Sequence, residues 1–161
     1  MIFDHRDIER LFISRTDVTN PLASYSKHEF TLDDAEWPSV EHYYQAMKYS
    51  DEDYREQIRN AAHPADATKL GKSKKHGRRK DWDKVKETFM TRGTYIKCRT
   101  HPEVAQALLA TGNQQIIETS QYDYYWGCGR DRRGDNQYGK VLMAVRNKLL
   151  QEQKEAENKA E

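Results

Sequence analysis

The stretch WPSVEHYYQAMKYS, residues 37–50, sets the first helix of this 161-residue chain. Pro38 precedes the helix and Ser39 suits the N-cap position, because a serine hydroxyl accepts a hydrogen bond from one of the free backbone N–H groups of the first turn. The pattern therefore predicts a helix over residues 39–50. The chemistry that the sequence suggests also begins with the residues on this helix.

Three polar residues, Glu41, Gln45 and Lys48, form a narrow stripe along the predicted helix. An acid, an amide and an amine in line are typical of a solvated face, so the spacing by itself favours a surface helix. However, rings such as Tyr44 border the stripe and leave little room for a broad polar face. If those rings wall the stripe, burial raises the carboxyl pKa and lowers the amine pKa, as in a catalytic pocket.

The totals of the chain favour one domain with a compact core, because 36% of the residues are hydrophobic and 33% are charged. A net charge of +1 gives no overall attraction to nucleic acid or membranes, so only local patches could supply it. Cys98 and Cys128 do not suggest a disulfide framework. The N-terminus is unlike a signal peptide and no apolar run reaches the length of a membrane span, which predicts a cytoplasmic protein.

Around the first helix, the pattern predicts a mainly α-helical, α+β domain over residues 1–152, with a few short strands. Residues 1–36 look irregular or strand-like, and QQIIE is a further candidate strand. The other predicted helices run from Asp51 to His63-Pro64, over PADATKL before Gly71, from Trp82 to about Cys98 with Asp81 as cap, from Pro102 to Gly112, and from about Lys140 to Glu152. The polar tail 153–161 is expected to fray.

A basic segment lies between two of these helices. Seven Lys or Arg residues and no acid occur from Lys69 to Lys80. The simplest interpretation is a flexible, solvated loop. The alternatives are a phosphate site, in which Arg78 or Arg79 binds an anion through two N–H groups, and a nucleic-acid patch with Trp82 as a stacking ring.

A second loop, YDYYWGCGRDRRGDNQYG at residues 122–139, combines glycines, rings and charges. Glycine lets a backbone turn sharply and approach a ligand closely. In that interpretation Trp126 stacks on a base or covers a sugar, and Asp123 and Asn136 bind hydroxyl groups. The alternative is an ordinary turn-rich loop with Trp126 in the core. The loop matches neither a dinucleotide fingerprint nor a Walker loop, and the His and Cys spacings predict no metal site.

Three segments in this order resemble the YbiA-like family, also called NADAR: WPSVEHYYQAMKY, LGKSKKHGRRKDWDKVKETFM and YYWGCGRDRRGDNQYGKVLMAVR. The resemblance covers about residues 20–150 and implies a compact, helix-rich fold with cofactor-free N-glycosidase chemistry. The family acts on phosphorylated ribosylamino-pyrimidine intermediates of riboflavin synthesis and on ADP-ribose attached to guanine. This chain departs from it at NPLASYS, where the family has a run of F-S-N-F type, and no role is assigned there.

The resemblance also implies which residues form the pocket. Glu41 and Lys48 would be catalytic. Trp82 and Trp126 would stack on the base or ribose, and Arg79 would hold a phosphate. The full set of expected substrate-binding residues is Trp37, Tyr44, Gln45, Arg79, Trp82, Asp123, Trp126, Gly127 and Asn136.

Both substrate types are ribosides on an exocyclic amine, and two routes break such a bond. In the first, the bond breaks through an oxocarbenium-like state, with Glu41 as the carboxylate or general acid/base. In the second, the sugar ring opens and a neutral Lys48 exchanges onto C1′ as an imine while Glu41 moves protons. Lys48 is therefore either a nucleophile or an electrostatic stabiliser.

The resemblance favours removal of ADP-ribose from guanine, with the riboflavin intermediates as the alternative substrates. The expected partner is a nucleotide-like small molecule, or ADP-ribosylated DNA or RNA, with no membrane and no obligate protein partner. A function of another class stays open beside these, a non-catalytic module that binds ADP-ribose or a nucleotide.

Overall fold

A computed structural model describes residues 9–160, and these residues form six helices and four short strands. The helices are α1 (Val40–Ala46), α2 (Glu52–Arg59), α3 (Pro64–Leu70), α4 (Trp82–Thr100), α5 (Pro102–Leu109) and α6 (Gln137–Ala160). The strands are β1 (Arg10–Ile13), β2 (Phe30–Leu32), β3 (Ala35–Trp37) and β4 (Gln115–Glu118). The prediction of a mainly helical α+β fold with a few short strands is confirmed.

The strands form two small sheets. β1 and β4 pair in parallel, with Arg10 opposite Gln115, so the first described residues lie beside a strand from the second half of the chain. β2 and β3 form an antiparallel hairpin. Its turn holds Asp33 and Asp34 at φ +54° and +62°, a conformation that short acidic side chains tolerate better than most. The predicted strand QQIIE is β4, and the part of the predicted N-terminal region that falls on residues 1–8 lies outside the described residues.

Helix α1 lies at the centre of the fold, in contact with α2, α3, α4 and β3. All seven of its residues are buried, so the interpretation of a solvated surface helix is wrong. Ser39 caps it as predicted, and its Oγ accepts a hydrogen bond from the His42 N–H at 3.2 Å. The helix ends at Ala46 rather than at residue 50, because Tyr49 forms a β-bridge with Arg78.

Other helix ends also differ from their predictions, and α2, for example, ends at Arg59 rather than at His63-Pro64. Asp81 stands at the N-cap position of α4 but makes no capping hydrogen bond, because its carboxylate binds Arg79 instead. Helix α6 continues through the segment that was expected to fray and ends at Ala160. Just before that segment, the Glu152 carboxylate accepts hydrogen bonds from Tyr95 and Arg99 of α4, which join α6 to α4 at this point.

Within residues 9–160, no helix combines the length and the apolar character that crossing a bilayer requires. Cys98 is a buried free thiol and Cys128 is a half-buried one. The two cysteines are therefore not joined to each other in this structure.

The contact between α1 and α4 depends on a glycine, and we expect Gly93→Val to destabilise the fold. A Cβ at this position would lie 3.0 Å from Cδ2 of Tyr43 and 3.3 Å from Cγ1 of Val40, so two added methyl groups force the helices apart. The expected loss in unfolding free energy is about 1–3 kcal/mol. Urea unfolding measures it, and Ala144→Val on the exposed face of α6 is the control, expected to cost well under about 1 kcal/mol. Equal losses in the two variants would contradict the close packing.

Candidate active site

Glu41 is the centre of a buried polar cluster. Its side chain is fully buried, and both carboxylate oxygens accept two hydrogen bonds. Oε1 accepts from Gln45 Nε2 at 2.8 Å and from Thr68 Oγ1 at 3.1 Å. Oε2 accepts from Arg15 Nη1 at 2.5 Å and from Ser24 Oγ at 2.9 Å. The four donors occupy about all the acceptor sites that a carboxylate offers.

The charge state of Glu41 follows from these partners. Burial by itself raises a carboxyl pKa, and here it is the largest influence. The positive charge of Arg15 and the hydrogen bonds from Gln45, Arg15 and Ser24 together outweigh it, so the pKa of Glu41 lies below its ordinary value. Glu41 is therefore an ionised carboxylate at neutral pH, although no part of it touches water.

Lys48 lies just beyond the end of α1 and is 8% exposed. Its Nζ donates a hydrogen bond to the Gly71 carbonyl at 3.1 Å and lies 5.6 Å from the centre of the Tyr44 ring. Burial, followed by the charge of Arg78, lowers the pKa of Lys48 to about 8. A proton therefore leaves this amine far more readily than it leaves a solvated lysine.

Three aromatic residues wall the same region. The Tyr44 ring centre lies 5.1 Å from that of Trp82 and 5.4 Å from that of Trp126. Trp126 Nε1 donates to the Tyr44 hydroxyl at 3.1 Å, which fixes the loop of residues 122–139 against α1. The structure therefore brings Tyr44, Trp82 and Trp126 together beside Lys48, in the group where the sequence expected substrate-binding rings.

Trp37 lies elsewhere. Its ring packs against Tyr43 at 5.4 Å, and its Nε1 donates to the Leu32 carbonyl at 2.9 Å. Tyr43 projects from α1 on the side opposite Glu41 and Gln45, because positions two apart on a helix differ by about 200°. In this structure Trp37 is a core residue on the far side of α1 from the polar cluster.

Asp123, Gly127 and Asn136 shape the second loop in this structure. The Asp123 carboxylate accepts a hydrogen bond from the Trp126 N–H at 2.8 Å, and the side-chain oxygen Oδ1 of Asn136 accepts one from the Glu118 N–H at 2.8 Å. A Cβ on Gly127 would lie 2.6 Å from Oε1 of Glu118, so only glycine fits the space. These residues place Trp126 and join the loop to β4.

The two neighbouring arginines of the basic segment differ. Arg79 is committed to Asp81, with Nε 2.6 Å from Oδ1 and Nη2 3.1 Å from Oδ2. Arg78 is exposed, and its side chain makes no hydrogen bond or ion pair with the residues that the structure describes. Since Arg78 also lowers the pKa of Lys48, it supplies free positive charge close to that amine.

Sequence reasoning missed three of the four partners of Glu41. Ser24 lies in the NPLASYS run, which the family comparison had left without a role, and its position there was the available signal. Thr68 lies on α3, in the predicted helix PADATKL, with nothing to mark it as polar lining. Arg15 follows β1 outside every motif, and no pattern in the sequence points to it.

Known proteins resemble this chain over most of its length. The NADAR domain family matches residues 3–150. The N-glycosidase YbiA of Escherichia coli K12 is 36% identical over 138 residues, which are 86% of each chain. An N-glycosidase of Nostoc punctiforme is 38% identical over 130 residues, 79% of this chain and 83% of the relative. A riboflavin biosynthesis protein of Vibrio vulnificus is 35% identical over 128 residues, 80% of this chain and 35% of that longer protein.

The fold has a solved counterpart as well. The NMR structure of E. coli YbiA superposes with a TM-score of 0.79 at 32% identity and covers 95% of both chains. The fold and these relatives define a hydrolase that acts on N-glycosyl bonds. The chain belongs to the NADAR family, and the YbiA-like fold expected from its three motifs is confirmed.

We expect Glu41→Gln to change how stability depends on pH. Because the folded pKa of Glu41 lies below its ordinary value of 4.5, the ionised group stabilises the fold above that pH, and this stabilisation is lost as pH falls through the folded pKa. At pH 7 the variant leaves Arg15 buried without its anion, at a cost of about 3–5 kcal/mol.

Urea unfolding at a series of pH values measures this effect. The difference between wild type and Glu41→Gln should be largest near neutral pH and shrink in acid below pH 4.5. Glu157→Gln, at an exposed position of α6, is the matched control. A difference that stays constant across this pH range would show that Glu41 is not ionised in the folded state.

Proposed function

We propose that this N-glycosidase removes ADP-ribose from guanine by hydrolysing the bond between ribose C1′ and the exocyclic amine. The observation that carries the proposal is the combination of a buried, ionised Glu41 with a buried Lys48 of lowered pKa in one aromatic-walled region. A carboxylate stabilises the positive charge that develops at an anomeric carbon, and an amine with a pKa near neutrality moves protons efficiently. The aromatic rings suit a flat base or a sugar face.

The charge state of Glu41 favours one assignment of roles to Glu41 and Lys48. An ionised carboxylate with four donors has no proton to give to a leaving nitrogen, so Glu41 acts as the anion that stabilises the cationic sugar. Lys48 then supplies the proton in the direct route. The C1′–N bond breaks, the leaving amine takes the proton from Lys48, and water adds to C1′ while its own proton returns to the lysine.

The imine route uses the same two residues differently. After the sugar ring opens, neutral Lys48 attacks C1′ and the guanine amine leaves with a proton. Water then hydrolyses the lysine imine and releases the sugar. A pKa of about 8 keeps a neutral fraction of Lys48 available near neutral pH, which this route requires.

The first test is incubation of the purified protein with ADP-ribosylated guanosine, followed by chromatography for released guanosine and ADP-ribose. Release is expected from the wild type, with a loss of about 100-fold or more in Glu41→Gln. Full activity in a folded Glu41→Gln protein would remove Glu41 from the mechanism. Phosphorylated ribosylamino-pyrimidine, tested in parallel, is the alternative substrate, because a riboflavin biosynthesis protein is among the relatives.

Trapping of a covalent adduct on Lys48 separates the two routes. A borohydride reductant traps a lysine imine as a stable adduct, so the imine route predicts a covalent sugar on wild-type Lys48 by mass spectrometry. Lys97 is the internal control, because burial also lowers its pKa to about 8 but the residue is far less accessible. An active wild-type enzyme without an adduct would leave only the direct route. Lys48→Arg should lose activity in either route, because arginine neither attacks C1′ nor gives up a proton near neutral pH.

Both candidate substrates carry phosphate, and Arg78 is the proposed anion contact in place of Arg79. We expect Arg78→Ala to raise KM about tenfold or more with a smaller change in kcat, because a charged hydrogen bond contributes about 1.5–3 kcal/mol. Arg79→Ala is the matched control, since its guanidinium already binds Asp81. A larger KM effect in Arg79→Ala than in Arg78→Ala would restore the assignment made from the sequence.

A further inference from the structure

Arg15 is held in place from several directions. Its backbone N–H donates to Glu118 Oε2 at 2.6 Å, and its carbonyl accepts from the Tyr25 N–H at 3.2 Å. Its Nη1 reaches Glu41 at 2.5 Å and Ser24 Oγ at 3.4 Å. Both the position of the backbone and the direction of the guanidinium are therefore determined before any ligand is present.

Arg15 is also the only charged donor among the four groups that bind the Glu41 carboxylate. Gln45, Ser24 and Thr68 are neutral, and Lys48 donates its hydrogen bond to the Gly71 carbonyl instead. Neutral donors alone compensate a buried negative charge poorly, whereas an arginine keeps its proton at any physiological pH. The guanidinium is therefore the group that allows a fully buried acid to stay charged.

Beyond these hydrogen bonds, the guanidinium carbon of Arg15 lies 6.0 Å from the centre of the Tyr25 ring. Nε and Nη2 form no hydrogen bond with the residues that the structure describes, and 11% of the side chain is exposed. A substitution at this position thus removes the contacts with Glu41 and Ser24 and breaks no other side-chain hydrogen bond. A substitution of Arg15 therefore changes the charge beside Glu41 while it breaks few other hydrogen bonds.

We propose that Arg15 is a positioning residue for the glycosidase reaction, whose charge keeps the Glu41 carboxylate ionised and fixed in the closed cluster. The inference rests on the proposed role of Glu41 in catalysis. It assigns a function to the first loop, at a residue that none of the three family motifs contains. Arg15 acts through Glu41, and the reaction needs its charge rather than its shape.

Two substitutions separate charge from hydrogen bonding. Arg15→Lys keeps the positive charge, and Arg15→Gln keeps a donor without the charge. Ser24→Ala is the matched control, because it removes a neutral donor from the same carboxylate oxygen. The first measurement is a pH titration of protein labelled with ¹³C at the glutamate carboxyl carbon, in which the signal missing from Glu41→Gln identifies Glu41.

In the wild type we expect the Glu41 signal to stay that of a carboxylate down to pH values below 4.5. In Arg15→Gln the midpoint should rise by about one to three pH units, because an opposite charge at hydrogen-bonding distance lowers a carboxyl pKa by that amount. Arg15→Lys should lie near the wild type, and Ser24→Ala should show a smaller rise than Arg15→Gln. If Arg15→Gln does not fold, a wild-type midpoint above 4.5 still overturns the proposal.

The second measurement is the pH profile of kcat with whichever of the two candidate substrates is hydrolysed. The acid limb should move upward in Arg15→Gln and return in Arg15→Lys. A purely structural role predicts lower stability with an unmoved acid limb, and that result overturns the proposal. Absence of turnover in the wild type would instead count against the proposed substrates, because the titration of Glu41 is measured without substrate.

Discussion

The buried ion pair between Arg15 and Glu41 ties together parts of the chain that are remote in sequence. Glu41 belongs to the central helix, while Arg15 follows the first described strand. Charges without water are stable only when they are paired and hydrogen bonded, so every element that supplies a partner must keep its position. The placement of the N-terminal loop, α1 and α3 around one carboxylate follows from this requirement.

The burial of the polar cluster affects the strength of electrostatic interactions within it. Glu41, Gln45 and Lys48 are all almost fully buried, at 0%, 3% and 8% exposure. Electrostatic effects are larger in such a site than in water, because no solvent reorganises to screen the developing charge. For the catalytic roles proposed for Glu41 and Lys48, the same burial requires that covering side chains move before a substrate reaches these two residues.

The Gln45 amide has one hydrogen-bonded end and one unpaired end. Its amide nitrogen binds Glu41, while its Oε1 is buried without a hydrogen-bond partner. A Cβ on Gly71 would lie 1.9 Å from that oxygen, so the missing side chain at position 71 is what leaves room for the amide. An unpaired buried acceptor costs free energy, and a donor group on a bound substrate would remove that cost.

The sequence predicted the fold well where the signals are local. The Ser39 cap, the helix PADATKL and the strand QQIIE follow from neighbouring residues, and each is present. Prediction from the sequence failed where contacts between distant residues determine which side chains are buried. The spacing of Glu41, Gln45 and Lys48 is the same on a solvent-exposed helix and on a buried one. Only the elements that pack around α1 show that this helix is buried.

Arg15 shows the same limit for the polar cluster, because the carboxylate that it binds lies 26 positions away in the sequence. Trp37 shows the opposite case, in which a residue within the most specific motif packs in the core on the other side of the helix. Asp123 and Asn136 were expected at the ligand, yet their side chains bind backbone groups of the loop and β4. Motif membership marks residues that the fold needs together with those that the reaction needs.

The parallel pairing of β1 with β4 has a consequence for the order of assembly. Arg15 is anchored through its N–H to Glu118, 103 positions later in the chain. During synthesis, helix α1 therefore leaves the ribosome long before the strand that helps to fix the partner of its buried acid. The contact that fixes the backbone of Arg15 therefore forms only after β4 has been synthesised, and contacts between residues so far apart in sequence slow folding.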